Sequence, residues 1–234
     1  MFIESMGGMA CAAAGLMAYG VRGRSSTLFG PSVWRGAPDR PAVALTFDDG
    51  PSESTPELLR VLASHDARAT FFQCGMHVRR LPEVSRQVAA EGHEIGNHSD
   101  THIPLCFRSS RTIYDELARA QDAIQEAAGV KPFLFRAPFG IRWFGMRAAQ
   151  RKLGLTGVMW TTIGRDWKLS AAAIVARLAP AVRNGAIFCL HDGRGRDARP
   201  DPGATIEAVR RLAPALQEKG YHFETVSEIL CQKN

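Results

Sequence analysis

From residue 41 onward, short apolar runs alternate with longer stretches of periodic pattern. The runs lie at residues 42–46, 69–74, 93–97, 133–135, 155–160, 186–190 and 222–226. Runs of this length, bounded by Gly, Pro, Asp and Asn, predict seven strands. Between them apolar residues recur at spacings of three and four. Ile113, Leu117, Ala120, Ile124 and Ala127 predict a long helix over 111–128. Shorter patterns predict helices near 56–63, 82–90, 145–152, 171–182 and 204–219. Thr55 before Pro56 reads as an N-cap followed by a proline at the first helical position, and Gly92 reads as a stop.

Strand–helix alternation over this length implies a parallel sheet, because parallel strands need a crossover. Runs apolar on both sides imply strands covered on both faces. Seven units favour a barrel, incompletely closed, over an open sheet. The expected fold is therefore α/β, a deformed (β/α) barrel of about seven parallel strands with outer helices. The chain's 234 residues suit one such domain, spanning residues 31–234. Residues 1–30 stand apart. Their small-residue apolar stretch at 7–20 is shorter than the roughly 20 residues a membrane span needs. Glu4 is the one charge before it, where a signal peptide carries basic residues. An export or anchor remnant and a helix packed on the domain both remain open, and membrane association is expected only through this segment.

Composition changes the picture little. A net charge of +6 fits either attraction to a polyanion or an ordinary basic protein. The arginines are scattered without aromatic interleaving, so no nucleic-acid partner is expected. Five cysteines, an odd number with no CxxC pair, suggest neither a disulfide framework nor a thiolate zinc site. Cys74 and Cys189 fall inside apolar runs and read as small buried core residues. No G-x-S-x-G elbow is present, which argues against a serine hydrolase.

The polar residues that could do chemistry share one location. Asp48 and Asp49 follow the first predicted strand, His98 the third and Arg136 the fourth; Asp166 lies beyond the fifth, and His191 ends the sixth. In a parallel barrel, side chains at the C-terminal ends of strands converge on the active face. His98 and His102, four apart, would present both imidazoles on one side of a helical turn. With a carboxylate from Asp49 they make a His–His–Asp set of the kind that holds a catalytic ion with a position left for water. That donor set suits zinc, and also cobalt, nickel and other first-row ions. Asp48 could then take a proton from water, and Arg136 could hold Asp48 through a two-pronged pair or be a surface cation. A backbone N–H just after Pro138 could stabilise an oxyanion. His191 could act as an acid, oriented by Asp166. Trp167 and Leu190 could line an apolar pocket for a methyl group, or be a loop and a core residue. His65, His77, His93 and His222 have no motif around them and read as structural.

Taken together, these residues carry a family resemblance. TFDDG at 46–50, HSDTH at 98–102, RAPFG at 136–140, RDW at 165–167 and LHD at 190–192 resemble, in order, the five motifs of the polysaccharide deacetylases of carbohydrate esterase family 4, the NodB-homology group. The resemblance implies one divalent ion, usually zinc, on Asp49, His98 and His102. It implies Asp48 as base with Arg136 as its partner, His191 as acid tuned by Asp166, and the Phe139 N–H as an oxyanion donor. The implied activity is removal of N-acetyl groups from N-acetylglucosamine-type sugars in a glycan, with release of acetate. Alternatives are an O-acetyl esterase on acetylated xylan, a hydrolase of cyclic amides or ureides, and a silent glycan-binding homologue. A monomer in the cell envelope or secreted is expected. One position departs from the pattern: Ile163 stands where the fourth motif often carries an Asp, which puts loop support or substrate contacts in question.

Overall fold

A computed structural model describes residues 2–231, with side chains from residue 11 onward. It opens with helix α1 (Phe2–Arg22), followed by strand β1 (Ser32–Val33). Six of the expected strands then appear at their expected places: β2 (Ala42–Asp48), β3 (Thr70–Gln73), β4 (Glu94–Asn97), β5 (Leu134–Phe135), β6 (Thr156–Val158) and, after the two-residue β7 (Thr162–Ile163), β8 (Ala186–His191). The seventh is β9 (His222–Phe223). Helices α2 (Thr55–Ala63), α3 (Gly75–Arg80), α4 (Pro82–Ala90), α5 (Ser110–Ala128), α6 (Met146–Leu153), α7 (Ala171–Leu178), α8 (Gly203–Gln217) and α9 (Val226–Leu230) cover the outside. Two strands and two short helices thus exceed the expectation. β1 and β7 are two residues long and only half-buried, so no continuous apolar run marks them.

Every strand pairing is parallel. The order is β1-β6-β5-β4-β3-β2-β8-β7, with β9 added to the start of β2 at Ala42 and Val43. The sheet curls into a barrel left open between its two terminal strands, β1 and β7, as a deformed barrel requires. β2 lies between β3 and β8 and also pairs with β9.

Alternation along β2 divides two cores. Val43, Leu45 and Phe47 face the outer helices, in a cluster with Leu58, Leu62, Val209 and Leu212. Ala42 and Ala44 face inward, packed with Phe72, Leu134, Val158 and Ile187. Thr46 and Asp48 continue the inward row, so the interior changes from apolar to polar toward the C-terminal end of the strand. β8 repeats this division: Ala186, Phe188 and Leu190 join the outer cluster, which leaves Cys189 and His191 on the inner face. Each large side chain buried this way contributes about 1.5–3 kcal/mol, enough to fix a strand's register and with it the aim of its last residues.

Side-chain caps start α5, α7 and α9. The Ser109 hydroxyl caps α5 by accepting from the Thr112 N–H at 3.0 Å, and Gly129 ends it with φ 72°. Thr55, expected as a cap, is instead the first residue of α2 and buried. At the N-terminus, Gly20 packs against Leu28 and Phe29, and the Arg142 N–H donates to the Val21 carbonyl at 3.0 Å. Residues 11–19 of α1 are exposed. No described helix is long and apolar enough to cross a membrane.

Candidate active site

The C-terminal ends of the strands open into a cavity of about 830 Å³, lined by Asp48, Asp49, His98, His102, Phe139, Trp167 and His191 among others. The register explains the convergence, since Asp48 sits directly opposite His191 in the β2–β8 pair. Of the ten residues singled out in the sequence, nine reach this site. Leu190 does not. It is fully buried in the outer cluster, because the alternation that turns His191 inward turns its neighbour outward. Met159, Trp160 and Ile163 supply the apolar wall instead.

Asp49, His98 and His102 are buried and hold their ligand atoms within 4.8 Å of one another. The expected helical turn is absent. His98 follows β4, and Ser99 (φ 66°) and His102 (φ 52°) bend the loop back so that the two rings lie 5.1 Å apart. Asp49 also has a left-handed backbone, φ 73°, in which few non-glycine residues sit. Its Oδ2 accepts the Gly195 N–H at 2.6 Å. Its Oδ1 is 3.1 Å from His98 Nε2 and 2.9 Å from His102 Nε2.

The chemistry of these contacts calls for a cation. His98 Nδ1 lies 2.8 Å from the Arg136 carbonyl, which can only accept, so Nδ1 carries the proton. In neutral His98 the Nε2 lone pair then faces a carboxylate oxygen that has no hydrogen-bond donor. A divalent ion between them satisfies both, and a carbonyl on the far ring nitrogen is the usual outer support of such a ligand. Burial pushes the Asp49 carboxyl up, but the two facing histidines outweigh it and hold the group well below the usual range.

Asp48 and Arg136 form the second pair. Arg136 is fully buried, and its Nη1 donates to Asp48 Oδ1 at 2.7 Å and to Thr46 Oγ1 at 2.6 Å. The contact is single, not two-pronged, because the remaining donors serve backbone: Nε to the Val158 carbonyl and Nη2 to that of Met159. The guanidinium lies over the Phe72 ring, 4.2 Å from its centroid. Asp48 is thereby held at one oxygen, with Oδ2 left toward the cavity and 3.5 Å from the Cys189 Sγ.

His191 and Asp166 form the third. His191 Nδ1 donates to Asp166 Oδ1 at 2.9 Å, and Asp166 Oδ2 accepts the His191 N–H and the Thr205 hydroxyl, both at 2.7 Å. Nε2 is the nitrogen left for the cavity. Burial disfavours the imidazolium, but the Asp166 bond and the charges of Asp166, Asp49 and Asp48 raise its pKa to about 9. Trp167 packs edge-on against this ring at 5.1 Å. Phe139, φ 59°, packs edge-on against His102 at 4.8 Å.

Sequence reasoning missed the supports. His77, taken as structural, donates from Nε2 to the Gly195 carbonyl at 2.8 Å and so ties down the loop that binds Asp49. Asp192 accepts the Thr55 hydroxyl at 2.6 Å, and its N–H donates to the Asp48 carbonyl at 3.2 Å. Burial pushes the Asp192 carboxyl up to about 7 against that hydroxyl bond. Cys189, read as core, is buried but lines the cavity. Only the strand's parity could have announced it. Ile163 lines the wall beside it and leaves its carbonyl to Arg177 Nε at 2.7 Å.

A family model described as polysaccharide deacetylase matches residues 35–158, more than half of the chain. The chain belongs to the polysaccharide deacetylase family. A chitooligosaccharide deacetylase of Bradyrhizobium sp. (strain ANU 289) is 38% identical over 80% of this chain and 90% of its own. A peptidoglycan-N-acetylglucosamine deacetylase of Bacillus cereus is 32% identical over 86% of this chain and 94% of its own. Among solved structures, a family pseudoenzyme from Bacillus anthracis superposes with a TM-score of 0.79 at 28% identity, covering 88% of this chain and 72% of that one. Membership and the buried His–His–Asp cluster together make this deacetylase a metal-dependent hydrolase of an N-acetyl carbon–nitrogen bond.

Proposed function

We propose that this chain removes acetyl groups from N-acetylglucosamine-type sugars of a chitooligosaccharide or peptidoglycan glycan, outside the cytoplasm, using the residues gathered in the cavity. The observation that carries the reading is the joint placement of three buried ion-binding side chains beside one carboxylate and one imidazole, each locked at its far atom. Two of the relatives reported above are named as deacetylases, one of chitooligosaccharide and one of peptidoglycan N-acetylglucosamine.

A divalent ion on Asp49, His98 and His102, zinc being usual for this donor set, supplies Lewis acidity and makes water more acidic. The chain's own residues do the rest. Asp48 takes a proton from the attacking water through Oδ2, the oxygen that Arg136 does not hold, and Arg136 keeps it ionised and aimed. Water oxygen bonds to the acetamide carbonyl carbon. The Phe139 N–H donates to the oxygen that gains charge. His191, protonated at neutral pH, gives its Nε2 proton to the departing nitrogen as the carbon–nitrogen bond breaks. The products are acetate and the free amino sugar. Met159, Ile163 and Trp167 surround the space for the methyl group.

Silence is a real alternative on this fold, since a pseudoenzyme shares it. Against it stand the reactive side chains of all five motifs, present and mutually positioned. The test is acetate release from N-acetylglucosamine oligomers, peptidoglycan and acetylated xylan, each with and without chelator. Release from the first two that stops on chelation and returns with zinc supports the reading. Release from xylan alone would make the protein an O-acetyl esterase, and release from none would make it a silent homologue.

A further inference from the structure

Cys189 is the thiol among the residues lining the cavity, and the reaction leaves it unused. The parity of β8 puts it on the same face as His191, two residues before it, and the register sets it opposite Thr46. Its Sγ is 3.5 Å from Asp48 Oδ2. Arg136 holds the other Asp48 oxygen, so this one is left to the Cys189 thiol, which donates to it, and His191 keeps Nε2 free because Asp166 holds Nδ1. One donor atom from each of Asp48, Cys189 and His191 lies within 4.8 Å of the others, a second cluster beside that of Asp49, His98 and His102.

A sulfur, a nitrogen and an oxygen at these separations match a borderline or soft ion, not magnesium or calcium. We propose that Asp48, Cys189 and His191 form a second, inhibitory site for a thiophilic divalent ion such as cadmium, or zinc in excess. Binding breaks the Cys189 S–H bond and forms a sulfur–metal bond; the thiol proton, and the proton on His191 Nε2, pass to solvent. Since both protons must leave, this site fills only after the Asp49 site, whose ligands bind without breaking an S–H bond. The same ion occupies Oδ2 of Asp48 and the free nitrogen of His191. Rising metal therefore first activates the enzyme and then stops it.

The inhibitory half rests on the roles of Asp48 and His191 proposed above; the binding half does not. The two are separated by titrating cadmium into the zinc-loaded full chain in a background of Cys11→Ser, Cys106→Ser and Cys231→Ser. Sulfur-to-cadmium charge-transfer absorption is read alongside acetate release. Expected is a band that saturates at one further ion per chain, with activity lost at the same midpoint. Cys189→Ala removes the band and, relative to its own rate without cadmium, the inhibition. Cys189→Ser, nearly isosteric, does the same, which covers a packing defect in the alanine variant. His191→Ala keeps the thiol but raises the band's midpoint about tenfold or more, the scale on which even outer partners of a metal site register. A band that survives Cys189→Ala, or a midpoint unmoved in His191→Ala, overturns the site. Loss of the band in the Cys189 variants with cadmium inhibition unchanged overturns the inhibitory role. Absence of acetate release with the band intact sinks the proposed function alone.

Discussion

At the scale of single residues, the site is organised by what each polar atom lacks. Asp49 Oδ1 is buried with no hydrogen-bond donor, between two imidazoles. Replacing Asp49, His98 or His102 by alanine is expected to remove bound metal and acetate release together, measured by metal analysis and turnover on one preparation. Asp48→Asn is expected to keep the metal and lower turnover by about 10²–10⁴-fold, the usual weight of a positioned base. His191 carries the pH dependence. In the proposed mechanism its proton is needed; against burial, Asp166 raises its pKa to about 9, and the imidazolium is the form present below that value. Activity should therefore hold through neutral pH and fall as pH rises toward 9, earlier where a bound dication lowers that pKa. Asp166→Asn removes the partner that raises it, so the alkaline limb of the rate profile should move to lower pH. A limb that stays in place would assign the proton to another group.

At the scale of elements, the sequence showed strand ends better than loops. Seven strands and six long helices were legible because burial on both faces writes continuous apolar runs, and helical burial writes a period near four. The motif residues were legible because a parallel barrel gathers strand ends whatever the loops do. What could not be read was parity and loop course. Leu190 and His191 are neighbours in sequence and face opposite cores, a division visible only once the register is known. His98 and His102 meet through two left-handed residues, not a helical turn. His77 has no motif around it, yet its bond to the Gly195 carbonyl reaches the Asp49 loop from a different element, α3. His77→Ala is expected to weaken metal binding by about 10–100-fold, as loss of an outer partner does. Leu190→Ala should cost stability and leave metal binding alone. It opens a cavity in the outer core costing about 2–5 kcal/mol, while the KM of the purified folded enzyme stays near that of the wild type.

At the scale of the whole molecule, the barrel works by keeping its two faces unlike. The inner row of β2 runs from Ala42 and Ala44 to Thr46 and Asp48, so one strand supplies both packing and chemistry. Four basic residues, Arg22, Arg165, Lys168 and Arg194, line the cavity. If they steer substrate, a glycan that carries carboxylates is favoured. Added salt should raise KM for peptidoglycan fragments more than for neutral N-acetylglucosamine oligomers, since screening at about 10 Å weakens only the charged substrate's approach. Equal salt responses would remove any electrostatic share in substrate choice.

The most direct test is anomalous diffraction from crystals of the full chain loaded with one equivalent of zinc. The expected map shows one zinc peak coordinated by Asp49, His98 and His102, with Asp48 and His191 beside it. A peak elsewhere, or no peak at those three side chains when the crystals are loaded, would contradict the assignment of the metal centre and the deacetylation chemistry built around it.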